Sequence, residues 1–235
     1  MNTFVIAKRE LRAYFVSPAA YVVGAAFLFI TGLFFVMTLA VDNVATLNRV
    51  FLIISMMLLF LAPLLTMRSL AEEARSGTLE LLLTAPVRDW EVVLGKFLAV
   101  FTFFVALLVP TLYYFFLLTR FDTPDITVTL SGYVGIILLG AMLLALGVLT
   151  SAISANQILA VGLGVVFSMA FWMIGGVANF FPGFTGNLLN YLSIQEHLFD
   201  FMLGLISSTN IIYFLSITAA ALFLATRILE IKRWR

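Results

Sequence analysis

Glu196, His197 and Asp200 are the side chains whose types and spacing most suggest a chemical site. If this stretch is helical, the three fall within about one turn. Two carboxylates and an imidazole can bind a divalent metal ion. The same groups could instead form a solvated polar face, or contact a partner or substrate. The residues alone leave these alternatives open.

Motifs of catalytic and nucleotide-binding sites are absent from the sequence. His197 is the only histidine, which excludes a two-histidine zinc motif, and Gly-x-Ser-x-Gly does not occur. Gly95-Lys96 could end a phosphate-binding Gly-x-x-x-x-Gly-Lys-Ser/Thr loop, but position 90 is Trp and Phe97 follows the lysine. We expect no catalytic site, no metal or cofactor bound by this chain, and no nucleic-acid partner.

The elements that carry these residues are predicted to be membrane helices. Hydrophobic residues make up 63% of the chain, well above the roughly 45–50% of a soluble domain. A bilayer core requires about 20 apolar residues per helix, and the alternating strands of a barrel are absent. Six runs of sufficient length occur, at 19–39, 50–67, 92–118, 133–153, 158–177 and 211–229. The sequence predicts an all-α membrane protein with six transmembrane helices in one domain, 1–235.

The basic residues predict the orientation of these helices. If the amino terminus is cytoplasmic, only Arg49 and Arg120 lie in outer segments, which fits the excess of basic residues in cytoplasmic loops. No cleaved signal peptide is apparent, so the first span should remain attached. Both termini are then cytoplasmic. The residues on the inner side are Lys8, Arg9, Arg12, Arg68, Arg75, Arg88, Lys96, Arg227, Lys232, Arg233 and Arg235.

Residues 2–17 predict an amphipathic helix before the first span. Apolar residues recur on one face, and Lys8, Arg9 and Arg12 lie towards the other. This pattern is typical of a helix in the membrane interface. The alternative is a basic topology signal without a fixed helix.

Segment 68–90 separates the second and third spans and is unusually charged. It contains an apolar ridge with acidic residues beside it, and Pro86 is expected to end a helix. Acidic residues are unfavourable beside an anionic cytoplasmic leaflet, so a soluble partner explains the segment better than attachment to the membrane surface. The ridge consists of Leu79, Leu82 and Leu83, and the acidic residues are Glu72, Glu73 and Glu80.

Two further patterns concern the packing of the spans. Pro63 and Pro110 lie inside apolar runs and are expected to kink or interrupt their helices. Ala160, Gly164 and Ser168 recur every four residues in the fifth run, which allows close helix contact. That contact could be a dimer seam or lie within one chain.

Segment 178–210 is the longest predicted outer segment. Its apolar stretch at 194–204 is too short to cross a bilayer. We expect a short re-entrant or interfacial helix there, carrying Glu196, His197 and Asp200.

Several segments resemble a known family. They are Arg9–Pro18, Met67–Pro86, Leu94–Phe97, Pro110–Tyr113 and Asn156-Gln157, and the second is the most specific. In these segments the chain resembles the six-span permeases of ABC-2-type exporters, which have a type V exporter-like bundle. Within that family it is most similar to the GldF-like subgroup associated with gliding motility.

The resemblance implies a half-transporter in a bacterial inner membrane. Two permeases, identical or related, pair around a path, and each docks a cytoplasmic ATPase that binds ATP and Mg. It also implies an elbow helix at 2–17, a coupling helix at about 72–83, and short re-entrant helices on the outer side. A periplasmic auxiliary subunit and membrane lipid are further expected partners. The residues implied in ATPase coupling are Glu72, Glu73, Arg75, Gly77, Thr78, Glu80, Leu82 and Leu83.

Two alternatives to ATP-driven export follow from the sequence. The chain could be a structural or mechanical subunit of an ATPase-driven machine for gliding or envelope assembly, moving no cargo. It could also be an independent channel or secondary transporter. The scarcity of ionisable residues in the middle of the spans disfavours the last alternative, because ion pathways usually require such groups.

Overall fold

The helices of this protein follow the apolar runs of its sequence. The computed structural model describes residues 2–42, 46–77, 87–120, 124–178, 180–181 and 183–233, and these ranges contain no strand. The helices are α1 (Asn2–Val16), α2 (Pro18–Asp42), α3 (Asn48–Thr66), α4 (Ala71–Ser76), α5 (Asp89–Leu108), α6 (Leu112–Leu118), α7 (Ile126–Ile153), α8 (Gln157–Ala178), α9 (Phe184–Tyr191), α10 (Ile194–Met202) and α11 (Ser208–Arg233).

Six candidate spans occur within these ranges, by length and composition. They are α2, α3 with α4, α5 with α6, α7, α8 and α11. Long apolar runs adopt helices because hydrocarbon offers no partners for backbone groups. The predicted all-α fold with six spans is confirmed.

Helix α7 forms the centre of the bundle and is buried over most of its length. It contacts α3, α5, α8, α10 and α11. Close packing against α7 depends on glycine: a Cβ added at Gly140 would overlap the ring of Phe104, which belongs to α5. Large rings therefore fill space that a side chain on α7 would otherwise occupy.

The two prolines have different effects. Pro110 lies in a 3₁₀ turn, Val109–Thr111, that separates α5 from α6, as expected for a residue without an N–H donor. Pro63 lies inside α3, which continues past it as one helix. A Cβ added at Gly164 of α8 would lie 2.7 Å from the Cβ of Pro63. The small residues of α8 thus form a seam with α3 within this chain.

The alternating direction of the spans separates the short helices into two groups. Helices α1 and α4 lie with the last turns of α11 at one end of the bundle, which we call the elbow end. Helices α9 and α10 lie at the opposite end. The two sets of residues singled out in the sequence are therefore on opposite sides of the bundle.

Candidate functional site

Helix α4 lies in segment 68–90, of which the structure describes residues 68–77 and 87–90. It begins at Ala71, with Glu72 and Glu73 in its first turn, where acidic side chains interact favourably with the helix dipole. It ends at Ser76 because Gly77 adopts a left-handed conformation with φ of 71°, a common helix C-cap.

The prediction of one helix over about 72–83 is therefore wrong, because α4 ends at Ser76 and Gly77 is left-handed. The remaining residues of the predicted ridge and coupling set lie outside the described residues. They are Thr78, Leu79, Glu80, Leu82, Leu83 and Pro86.

The start of α4 is fixed by the last turn of α7. The buried hydroxyl of Ser151 accepts hydrogen bonds from the backbone N–H groups of Leu70 and Ala71, each at 3.0 Å. It donates to the carbonyl oxygen of Met67 at 3.5 Å. Because the first N–H groups of a helix have no partner within the helix, this serine substitutes for an N-cap side chain of α4 itself.

A buried lysine joins α4 to α5. Lys96 Nζ lies 2.7 Å from Glu73 Oε1 and 3.5 Å from Glu10 Oε1 of α1, and its side chain is only 3% exposed. The second carboxylate oxygen of Glu73 is buried and has no hydrogen-bond partner. Three helices thus meet at one ammonium group.

Helix α1 packs along α5 and closes this end of the bundle. Gly95 permits the close approach, since a Cβ there would lie 2.8 Å from Ile6 Cγ2. The Tyr14 hydroxyl donates to the carbonyl oxygen of Leu65 at 2.7 Å, which satisfies one of the free carbonyls at the end of α3. Burial raises the pKa of Tyr14 to about 12.

The predicted basic residues of α1, Lys8, Arg9 and Arg12, are all exposed. Arg9 Nη2 donates to Glu10 Oε1 at 2.8 Å, and this hydrogen bond raises the pKa of the arginine. Phe4 on the same helix is 81% exposed. Helix α1 thus presents both apolar and basic groups outward, as an interfacial helix does.

The outward face of α4 remains available to another molecule. Glu72 and Arg75 are exposed, while Glu73 points inward to Lys96. The predicted coupling residues that the structure describes therefore fall into two groups, exposed and inward-facing. Glu72, Arg75 and Gly77 lie on the surface, and Glu73 holds the helix in place.

At the opposite end, α10 carries the three residues that first suggested a site. His197 is buried, with Nδ1 2.7 Å from Asn210 Oδ1 and Nε2 2.9 Å from the Tyr191 carbonyl oxygen. Asn210 Nδ2 donates to Asp200 Oδ2 at 2.8 Å. Both ring nitrogens are engaged, so the imidazole orders the loop rather than facing a metal ion.

Glu196 and Asp200 also border a recess of about 360 Å³ beside α10. Its other walls include Leu52 and Met56 of α3 and Trp172 of α8. No group of three His, Cys, Asp or Glu residues arranged for a metal occurs in the part of the chain that the structure describes. The recess combines apolar walls with two carboxylates.

Sequence reasoning missed four residues that organise the elbow end: Glu10, Tyr14, Lys96 and Ser151. Lys96 carried a usable signal, because a lysine inside an apolar run requires an anion nearby. The candidates were the acidic residues of the segments outside the apolar runs, which include Glu10 and Glu73. Ser151 carried no such signal, since serine is common in membrane helices.

Comparison with protein families gives a match over nearly the whole chain. The family described as "ABC-2 family transporter protein" matches residues 4–234, nearly the whole chain. A comparison with curated proteins gives no significant match. The six-span, all-helical structure agrees with this family. The chain is therefore a membrane protein that belongs to the ABC-2 transporter family.

Proposed function

We propose that this protein is the permease subunit of an ATP-driven exporter in a bacterial inner membrane. The family membership and the six-span fold support this assignment. The excess of basic residues at the elbow end supports a cytoplasmic location for that end. ATP and Mg belong to a separate ATPase, and a second permease, identical or related, completes the transporter. The resemblance to GldF-like permeases is our reason to propose that subgroup.

The observation that carries the proposal is the way α4 is held. Two spans fix this short helix, α7 through Ser151 and α5 through Lys96, while Glu72 and Arg75 remain exposed. A partner that binds the exposed face can displace the spans only if the helix is firmly attached to them. Helix α4 satisfies both requirements, so we assign it to ATPase coupling together with residues 78–83.

The other partners follow from the same arrangement. Exposed Phe4 and Val5 on α1 would meet lipid at the cytoplasmic interface. Glu196 and Asp200 at the opposite end would face the periplasm, where an auxiliary subunit or the cargo could contact them.

The proposal is tested by purifying the tagged chain from its native membranes in mild detergent. We expect an ABC ATPase to co-purify with the unaltered chain and to be lost from Leu82→Asp, which places a charge on the proposed coupling segment. Leu205→Asp is the matched control, because Leu205 is exposed at the opposite end. Absence of an ATPase from both the unaltered and control samples would contradict the proposal.

Export itself requires a second measurement. The purified complex, reconstituted in vesicles, should move cargo only with ATP. ATP hydrolysis without movement of any tested lipid, glycan or peptide would favour the mechanical subunit instead. Movement without ATP would favour a channel or secondary transporter.

A further inference from the structure

Lys96 is a buried cation in the third span. Its ammonium group is buried between α1, α4 and α5 and faces one carboxylate from each of the first two helices. A lysine that only marked the cytoplasmic side of a span would extend its amine to water. This lysine instead joins α1 and α4 to the third span.

The two ion pairs are unequal. Glu73 is at hydrogen-bond distance, 2.7 Å, whereas Glu10 lies at 3.5 Å and its nearer oxygen also accepts from Arg9. Glu73 is therefore the main partner in this state. Glu10 lies close enough to become the main partner after a small displacement.

Movement of α4 away from α5 would leave the buried Lys96 in need of another anion. If α4 moves relative to α5 during a transport cycle while Ser151 keeps it attached to α7, Glu73 leaves Lys96, and a buried ammonium without an anion is strongly unfavourable. Glu10 is on a different helix, α1, which packs along α5 and carries its carboxylate next to Lys96. It can keep the lysine paired while Glu73 is away.

We propose that Lys96 is a positioning residue that ties α4 to the third span, and that Glu10 is its second anion when α4 moves. The inference rests on the proposed function for its meaning in transport. The tie itself is a property of this chain alone. The two parts are tested separately.

The first test measures the docking of α4 without any partner. The chain has no cysteine, so Ala71→Cys provides a single thiol at a fully buried position of α4. In lipid nanodiscs, Lys96→Met should increase the rate of maleimide labelling at this α4 thiol by at least about tenfold, since the buried pair is lost. Unchanged labelling would overturn the tie.

Two controls separate local release from unfolding. Ala145→Cys, buried in α7, should stay protected in Lys96→Met. Arg227→Met removes an ion pair of the same 2.7 Å length, to Glu230, but that pair is exposed and should not affect labelling of the α4 thiol. If Lys96→Met unfolds the chain, Glu73→Gln provides the test, and it too should increase labelling of the α4 thiol by about tenfold or more.

The second test concerns Glu10 and uses the complex with the ATPase. Glu10→Gln should leave labelling of the α4 thiol within about twofold of its original rate, because Glu73 still holds α4. It should lower kcat for ATP hydrolysis about fivefold or more without changing KM for ATP, because the lysine lacks an anion in the displaced state. Normal kcat would overturn the role of Glu10.

The outcomes distinguish this inference from the proposed function. If no ATPase associates with the chain but Lys96→Met still exposes the α4 thiol, the tie stands and the coupling role falls. If an ATPase associates while the α4 thiol stays protected in both Lys96→Met and Glu73→Gln, the permease assignment stands and the tie falls.

Discussion

The hydroxyl of Ser151 is a small group on which the position of α4 depends. It accepts hydrogen bonds from the backbone N–H groups of Leu70 and Ala71 and donates one to the carbonyl oxygen of Met67. A hydroxyl has two lone pairs and one hydrogen, so its full capacity is used. Ser151→Ala leaves two buried donors without an acceptor and changes little else, because the side chain loses only one oxygen atom.

The magnitude follows from these bonds. Loss of one N-cap side chain costs about 0.5–2 kcal/mol, and a buried donor without a partner costs about 1–3 kcal/mol. Partial relaxation of α4 reduces the sum, so we expect about 2 kcal/mol for local opening of its first turn. At about 1.4 kcal/mol per tenfold change, this is about a 30-fold increase in the open population.

Hydrogen exchange measured by mass spectrometry on a peptide spanning residues 67–77 tests this value. In nanodiscs, Ser151→Ala should exchange about 30-fold faster than the unaltered chain in this peptide. Ser55→Ala is the matched control, because Ser55 is equally buried but only donates, to the Leu52 carbonyl oxygen. It leaves no orphaned N–H and should not alter exchange at 67–77.

Exchange at 67–77 in Ser151→Ala within about twofold of the unaltered chain would refute this role of Ser151, since no orphaned donor would then have been created. A general increase in exchange throughout α7 would also refute it. In that case the hydroxyl would be stabilising the span rather than α4.

Further predictions concern the C-cap, the core and α1. Gly77→Ala, in a left-handed conformation, should weaken α4 by about 1 kcal/mol in the same exchange assay, whereas Gly162→Ala, equally uncrowded but helical, should not. Gly140→Ala must displace the Phe104 ring and should lower thermal stability in detergent by about 1–3 kcal/mol. Tyr14→Phe should cost about 1 kcal/mol at neutral pH. Because burial raises the pKa of Tyr14 from 10.0 to about 12, its stabilising effect is complete below pH 10 and is lost as pH rises towards 12. Melting curves should show a smaller alkaline loss in Tyr14→Phe.

The spans were predictable from sequence because the bilayer imposes both helix and length. The third span illustrates the limit of that argument. Its apolar run predicted one element with a kink or interruption at Pro110, and the structure shows a 3₁₀ turn there. The fourth span shows a second limit. Its apolar run was predicted to begin at 133, but α7 begins seven residues earlier, at Ile126. Hydropathy could not locate this start, because Thr127 and Thr129 are polar but compatible with a helix.

The site was less predictable, since it depends on contacts between distant segments. Glu10 and Glu73 are separated from Lys96 by 86 and 23 residues. Only the packing of α1 and α4 around α5 brings them together. Conversely, Gly77 contained the information that ends α4, because glycine after a short helical stretch is a common C-cap. The continuous apolar ridge beyond it outweighed that signal in the sequence-based interpretation.

A serine hydroxyl contacts the backbone of a short helix at each end of α7. Ser151 holds α4 at the elbow end, and Ser131 donates to the Phe201 carbonyl oxygen of α10 at 2.6 Å at the opposite end. The two serines are twenty residues apart on one unbroken helix, a rise of about 30 Å. A helix resists compression along its axis because its backbone hydrogen bonds are continuous. Under the proposed function, displacement of α4 therefore reaches α10 through a single rigid element, α7, whose residues 126–153 include no Asp, Glu, Lys, Arg or His.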